Sequence, residues 1–263
     1  MKERADKLLV GRSLAPSREK AQALIMAGLV TAGGRPVAKP GELVDAEAPL
    51  EVARPLPFVS RGGLKLEEAL DRFGVDVRGL VALDIGASTG GFVDCLLKRG
   101  AKRVYAVDVD TKQLDWGLSK DPRVAAVEKN ARGLGPGDIP EPADIVTMDV
   151  SFISVLKILP ALRAIPGAST LVVLIKPQFE AGPKDVGKKG IVRDAAVHAA
   201  VLARIIEGAR ELGFGPAGLI RCSTRGQKGN VEFFVRWIKG SPGLNAGSVP
   251  AWIKEATSHE QSG

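Results

Sequence analysis

Val81-Ala82-Leu83-Asp84-Ile85-Gly86-Ala87-Ser88-Thr89-Gly90-Gly91-Phe92 is the stretch on which the fold turns. Its first five residues spell an apolar strand. Gly86 to Gly91 is a glycine-rich turn, and Phe92 to Arg99 reads as a helix. A second strand, Val104-Tyr105-Ala106-Val107, ends in Asp108. A strand, glycine turn, helix and strand closed by an acid about 20 residues on is the nucleoside-binding half of a doubly wound α/β sheet. Glycine is required there because the backbone must come close to the ligand, and the acid can accept the ribose hydroxyls.

The turn also narrows the ligand. No Lys-Ser or Lys-Thr follows the glycines, which argues against a phosphate-cradling loop. Its spacing is Gly-x-x-x-Gly-Gly, and Asp84 stands just ahead of it. A carboxylate there suits a ligand bearing ammonium or sulfonium charge better than a pyrophosphate. S-adenosylmethionine is therefore expected over a dinucleotide. Candidate contacts are Asp84, Gly86, Ser88, Thr89, Gly90, Gly91, Phe92 and Asp108.

The chain has 263 residues, enough for one large α/β domain and a small module. The longest apolar runs are too short to span a bilayer, so no stable membrane insertion is expected. Met1-Lys2-Glu3-Arg4 opens a charged segment without the apolar core of a leader, and a cytoplasmic location is the expectation. Two cysteines form no disulfide framework, and two histidines supply neither a metal cluster nor a histidine triad. The chemistry is left to Lys, Asp, Glu and backbone, with no metal expected.

Net charge is +7, and residues 1–40 carry eight Lys or Arg against three acids, which is +5 of it. A basic module on a near-neutral body points to a polyanion partner. Ala5, Leu8 and Leu9 mark one short helix. Ala21, Leu24 and Ile25 mark another, capped by Ser17 and stopped by Gly28. Val30 to Val37 reads as a hairpin around Gly33-Gly34. Arg4, Arg12, Arg18, Lys20 and Lys39 are the candidate phosphate contacts. A proline-rich linker, Pro49 to Pro57, closes a first domain over residues 1–57, ahead of a second over 58–240 and a mobile tail over 241–263.

Beyond the linker, a helix follows Val59-Ser60-Arg61-Gly62-Gly63-Leu64-Lys65 and ends at Gly74. Further strands are expected at 124–127, 144–149, 171–175, 219–222 and 231–238, giving seven in all. The segment from Gln178 to Gly190 reads as a mobile lid, and a long helix begins at Asp194. Ligands in open α/β sheets gather beyond the carboxyl ends of the strands. Asp108, Asp149 and Lys176 stand at such ends, and Glu232 is an acid inside an otherwise apolar strand. A lysine at the mouth of an apolar strand needs a partner or a task, and Asp149 is the natural partner of Lys176.

Five ordered segments carry a resemblance to a known family. They are Val59 to Leu66, Asp84 to Phe92, Asp149-Val150-Ser151-Phe152-Ile153-Ser154, Lys176-Pro177-Gln178-Phe179-Glu180-Ala181-Gly182 and Gly229-Asn230-Val231-Glu232. Together they resemble the TlyA group, bacterial rRNA 2′-O-methyltransferases of the FtsJ-like superfamily long called haemolysins. The first sixty residues resemble the small α+β RNA-binding domain of the ribosomal-protein-four type. The resemblance implies a Rossmann-like, seven-stranded methyltransferase domain using S-adenosylmethionine on a cytidine ribose of ribosomal RNA or ribosomal subunits. It also implies a catalytic set of Lys65, Asp149, Lys176 and Glu232, of which Lys65 comes from the resemblance alone. The alternatives are a non-catalytic ribosome-binding or assembly factor, a cytolysin in line with the old name, and a dinucleotide-dependent oxidoreductase.

Overall fold

The computed structural model describes residues 1–53, 56–243 and 246–258. The chain divides into two units, Met1–Leu56 and Pro57–Gly263. Arg54 and Pro55, within the stretch read as a linker, lie outside the described residues.

The first unit runs β1 (Lys2–Arg4), α1 (Ala5–Gly11), α2 (Arg18–Met26), β2 (Val30–Ala32), β3 (Arg35–Pro36), β4 (Leu43–Asp45) and β5 (Leu50–Val52). Ser17 accepts the Lys20 N–H at 3.3 Å and so caps α2. Gly33 and Gly34, both at positive φ, make the turn that pairs β2 with β3. Strand β2 also pairs with β5, and β1 with β4. Strands β1, β4 and β5 were not expected from sequence, because segments of three residues are too short to show a period. The core joins Leu9, Ala21, Ile25 and Val30.

The second unit is built on α3 (Arg61–Arg72), β6 (Val81–Ile85), α4 (Gly91–Lys98), β7 (Arg103–Asp108), α5 (Trp116–Lys120) and β8 (Val124–Glu128). It continues through β9 (Ala143–Met148), α6 (Leu159–Ala164), β10 (Gly167–Ile175), α7 (Pro177–Glu180), α8 (Ala195–Glu211), β11 (Phe214–Arg221), β12 (Phe233–Lys239) and α9 (Val249–Ser258). Seven strands form one sheet in the order β11-β12-β10-β9-β6-β7-β8. Strands β10, β9, β6, β7 and β8 pair in parallel, and β12 is antiparallel to both neighbours. The order reverses between β6 and β9, which is where such sheets open a crevice for a ligand.

Period-two alternation sorts the strand side chains onto two faces. Leu83, Ile85, Val146, Met148, Val173 and Ile175 face the core that includes α6 and α8 residues such as Leu159, Leu162, Leu202 and Ile205. Ala82, Ala106, Ile145, Val172, Leu174 and Phe234 face the core formed with α3 and α4 through Leu66, Leu70, Val93 and Leu96. Burial on both faces is why these strands read as continuous apolar runs.

Three expectations are corrected. Strand β12 begins at Phe233, so Glu232 precedes the strand instead of lying inside it. Residues 249–258, read as tail, form α9, with Ile253 and Ala256 buried in the core shared with α8. The remaining tail positions 244–245 and 259–263 lie outside the described residues. The segment read as a lid begins with α7 and is tied down at its far end. The Asn230 amide donates to Gly190 O at 3.0 Å, and its oxygen accepts the Val192 N–H at 3.2 Å.

Candidate active site

Strand parity brings the four candidate catalytic residues together. Asp149 follows β9 in phase with Ile145 and Thr147, and Lys176 follows β10 in phase with Val172 and Leu174. Glu232 precedes β12 in phase with Phe234. All three therefore project to the face covered by α3, from neighbouring strands. Since β12 is antiparallel to β10, its beginning lies at the same sheet edge as the end of β10: Ile175 pairs with Phe233. Lys65 comes down from α3, whose N-cap Ser60 accepts the Gly62 N–H at 3.3 Å.

The result is two ion pairs. Lys65 Nζ lies 2.5 Å from Glu232 Oε2, with side-chain exposures of 11% and 2%. Lys176 Nζ pairs with Asp149 Oδ1 and donates to Ser151 Oγ at 3.1 Å. Partners explain how two lysines persist where burial would otherwise disfavour them. All four residues line one cleft of about 330 Å³.

The glycine turn forms another wall of this cleft through Gly86, Ala87, Ser88, Thr89, Gly91 and Phe92. Gly86 has φ +83, and a Cβ there would collide with the Asp149 carbonyl oxygen. The absence of a side chain is thus what lets the end of β9 approach the turn. Asp149 N–H donates to Ile85 O at 2.9 Å, which fixes that approach. Phe92 also stacks on Phe234, with ring centroids 6.1 Å apart, so it belongs equally to the core.

Three expected cofactor residues do not line the cleft. Gly90, at φ +93, is held against Leu114 and Leu118. Asp108 accepts the Ser88 N–H at 2.8 Å and the Asp110 N–H at 3.2 Å, so it latches the turn to the end of β7. Asp84 is buried on the α3 face, where its Oδ1 accepts the Thr147 hydroxyl at 2.6 Å across the β6–β9 register. Burial pushes its pKa up to about 7, with the nearby Asp149 and Asp108 adding to the rise and Thr147 opposing it. Its Oδ2 has no hydrogen-bond partner. The unpartnered Gln178 Oε1 on the cleft wall is an acceptor suited to an ammonium or amino group, whereas the orphaned Asp84 oxygen lies buried outside that lining. The site fits a sulfonium nucleoside.

Residues that the reading did not assign also line the cleft: Ser60, Arg61, Gly62, Ser151, Phe152, Gln178 and Phe179. Phe152 is 89% exposed at φ +64 and meets the Phe179 ring at 4.7 Å between centroids. Their positions just after strands β9 and β10 were the available signal.

In the first unit the five basic candidates divide. Arg4 and Arg18 both bond the fully buried Asp6, at 2.8 and 2.9 Å. These contacts, Arg4 foremost and then Gln22 and Arg18, hold the Asp6 carboxyl well below the usual range. Arg12 donates to the carbonyls of Ala48, at 2.7 Å, and Ala46. Lys20 and Lys39 are exposed. Arg4, Arg12 and Arg18 thus brace the unit, a task the sequence reading did not give them.

A seven-stranded sheet of this order, with a glycine turn and paired lysines and carboxylates at its switch point, defines an S-adenosylmethionine-dependent methyltransferase. The chain belongs to the FtsJ-like methyltransferase family, whose model matches residues 58–239, and an S4 domain matches residues 3–49. It is 51% identical over 239 residues to Bacillus subtilis YqxC, provisionally named an rRNA methyltransferase, covering 89% of this chain and 85% of that one. It is 43% identical over 240 residues to the 16S/23S rRNA (cytidine-2′-O)-methyltransferase TlyA of Mycobacterium tuberculosis, covering 90% and 89%. A solved structure from Streptococcus thermophilus, provisionally named a hemolysin, matches with a TM-score of 0.75 at 42% identity, over 98% of this chain and 96% of that one.

Proposed function

We propose that this enzyme methylates the 2′-hydroxyl of a cytidine in ribosomal RNA, with Lys65, Asp149, Lys176 and Glu232 as its catalytic set. The observation that carries the reading is the pairing of Lys65 with Glu232 and of Lys176 with Asp149 in one cleft with the glycine turn. Kinship with the cytidine-2′-O-methyltransferase above supports the choice of acceptor.

Bound S-adenosylmethionine supplies an electrophilic methyl group, which leaves activation and aim of a weakly acidic ribose hydroxyl to the protein. Gly86, Ala87, Ser88, Thr89, Gly91 and Phe92 would face the donor, with Asp108 bracing the turn from outside the cleft. Lys176, fixed by Asp149, would hydrogen-bond the acceptor oxygen and stabilise the negative charge developing on it, and the hydroxyl proton would be taken up by the Lys176–Asp149 pair. Lys65, fixed by Glu232, orients the ribose. Holding the hydroxyl in line behind the methyl group is the larger contribution. The S4 domain captures RNA through its basic surface.

Lys176→Ala should lower kcat about 100-fold or more while cofactor affinity stays within about twofold. Tritiated methyl transfer to rRNA and calorimetric titration read the two quantities. Full activity in this variant would remove Lys176 from the mechanism. Methyl mapping of rRNA from a deletion strain would locate the nucleotide. Among the described residues no helix is long and apolar enough to cross a membrane.

A further inference from the structure

A second cleft of about 400 Å³ is lined by Ile191, Val192, Arg193, Arg225, Lys228, Gly229 and Val231, the last of these next in sequence to Glu232 of the first cleft. Three of its seven lining residues are cations and none is an acid. Arg193, Arg225 and Lys228 are exposed, and among the described residues no carboxylate ion-pairs with any of them. The surface is therefore not a salt-bridged scaffold, in contrast to the arginines around Asp6.

The walls are built rather than loose. Asn230, 3% exposed, ties the 190–192 strand of chain to the 226–230 loop through its two amide hydrogen bonds and its carbonyl, which accepts the Gly226 N–H at 2.9 Å. His198, fully buried, contacts Val192 O at 3.1 Å from below. Gly187 and Gly190 close a tight turn that holds Lys188 and Lys189 at its exposed tip. Lys228 sits at φ +58, a left-handed conformation that a lysine adopts at a cost, and its Nζ reaches the Gly190 turn. Strain of this kind held by a buried polar network is enriched at functional positions.

This loop also abuts the catalytic set. Gly226 is pressed against the Glu232 carboxylate so closely that no side chain fits between them. The cationic cleft and the catalytic acid are thus the two sides of one seven-residue segment, 226–232.

We propose that the Arg193–Arg225–Lys228 cleft is a phosphodiester-binding site that seats the backbone of the acceptor RNA next to the ribose being methylated. The proposal rests on the reading of the catalytic cleft as an RNA 2′-O-methyltransferase site. Clustered exposed cations without acids recognise phosphate, and the contact is sequence-independent. The S4 domain then supplies capture of the RNA, and this cleft supplies local register at the methyl donor. Three cations within one loop pair suit successive phosphates of a strand better than a single free anion.

The test uses the full chain with Arg193→Gln, Arg225→Gln and Lys228→Gln combined. Its control is an equal loss of charge at Lys157, Arg210 and Lys254, exposed elsewhere on the same unit. Binding of a fluorescent single-stranded RNA is measured against salt, and methyl transfer is measured on ribosomal subunits from a deletion strain. The cleft variant should raise KM for the subunits about tenfold or more, with kcat at saturation kept within about twofold. Its log–log salt slope should fall by about two to three, and its calorimetric affinity for S-adenosylmethionine should match the parent. An unchanged slope and KM, or the same losses in the control, would overturn the proposal. If the parent transfers no methyl group yet the slope still drops only in the cleft variant, the catalytic reading fails and the phosphate site stands.

Discussion

Gly86 shows how one residue sets the chemistry of another. Its missing Cβ makes room for the Asp149 carbonyl, and its φ of +83 lies where other residues are strained. Gly86→Ala should cost about 1–3 kcal/mol of stability and, by displacing Asp149, lower kcat about 100-fold, as read by urea unfolding and methyl transfer. Arg18 teaches the opposite caution. Sequence marks it as a phosphate contact, but it bonds Asp6, a buried carboxylate it shares with Arg4. Arg18→Glu would set two carboxylates together, so it should lower the melting temperature of the S4 domain as well as RNA affinity. Lys20→Glu, at an exposed cation, should weaken RNA binding at high salt dependence and leave melting unchanged; calorimetric scans with filter binding separate the two effects. Lys176 and Asp149 were legible as partners because each is an isolated charge ending an apolar run. Lys65 was not, since a lysine in a helix has a solvated surface as its ordinary home.

At the scale of elements, strand parity explains why residues far apart in sequence meet. Asp149, Lys176 and Glu232 each continue the α3-facing phase of β9, β10 and β12, and the antiparallel β12 returns its start to the carboxyl edge of β10. The strands themselves were readable from apolar runs, as was α8 with its Asp194 cap, which accepts the Ala196 N–H at 2.8 Å. Helix α9 is hard to anticipate because Gly240, Pro242 and Gly243 precede it and suggest a polar tail, although Val249, Trp252, Ile253 and Ala256 carry the i, i+3, i+4, i+7 spacing of a helix. Its Ile253 and Ala256 are nevertheless buried against α8. Truncation after Gly243 should expose that surface and lower the melting temperature by about 5 °C or more, where a disordered tail would leave it unchanged. Circular-dichroism melting of the shortened chain measures the difference.

For the whole molecule, the two units carry proton linkages of opposite sign. Asp6 has its pKa depressed in the folded S4 domain, chiefly by Arg4. Its stabilisation is therefore complete above the unfolded carboxylate range of about 4 and is lost as pH falls below it. Asp84 has its pKa raised to about 7 by burial, so its contribution is complete below about 4 and is lost as pH rises through 7. Calorimetric scans from pH 3 to 8 should show the Asp6→Asn variant losing the acid-side fall of the first unit, and Asp84→Asn losing the neutral-side fall of the second. Sequence by itself determined the doubly wound class, the seven strands, the basic first module and the nucleoside-binding turn, because these rest on local period, turn chemistry and charge. Only the tertiary structure decided which charges are already spent. Arg18 on Asp6 and Asp108 on the turn are committed by contacts between separate segments, whereas Arg193, Arg225 and Lys228 are left facing one cleft. Pairing between distant residues depends on strand register and burial, and neither is written in any short run of the chain.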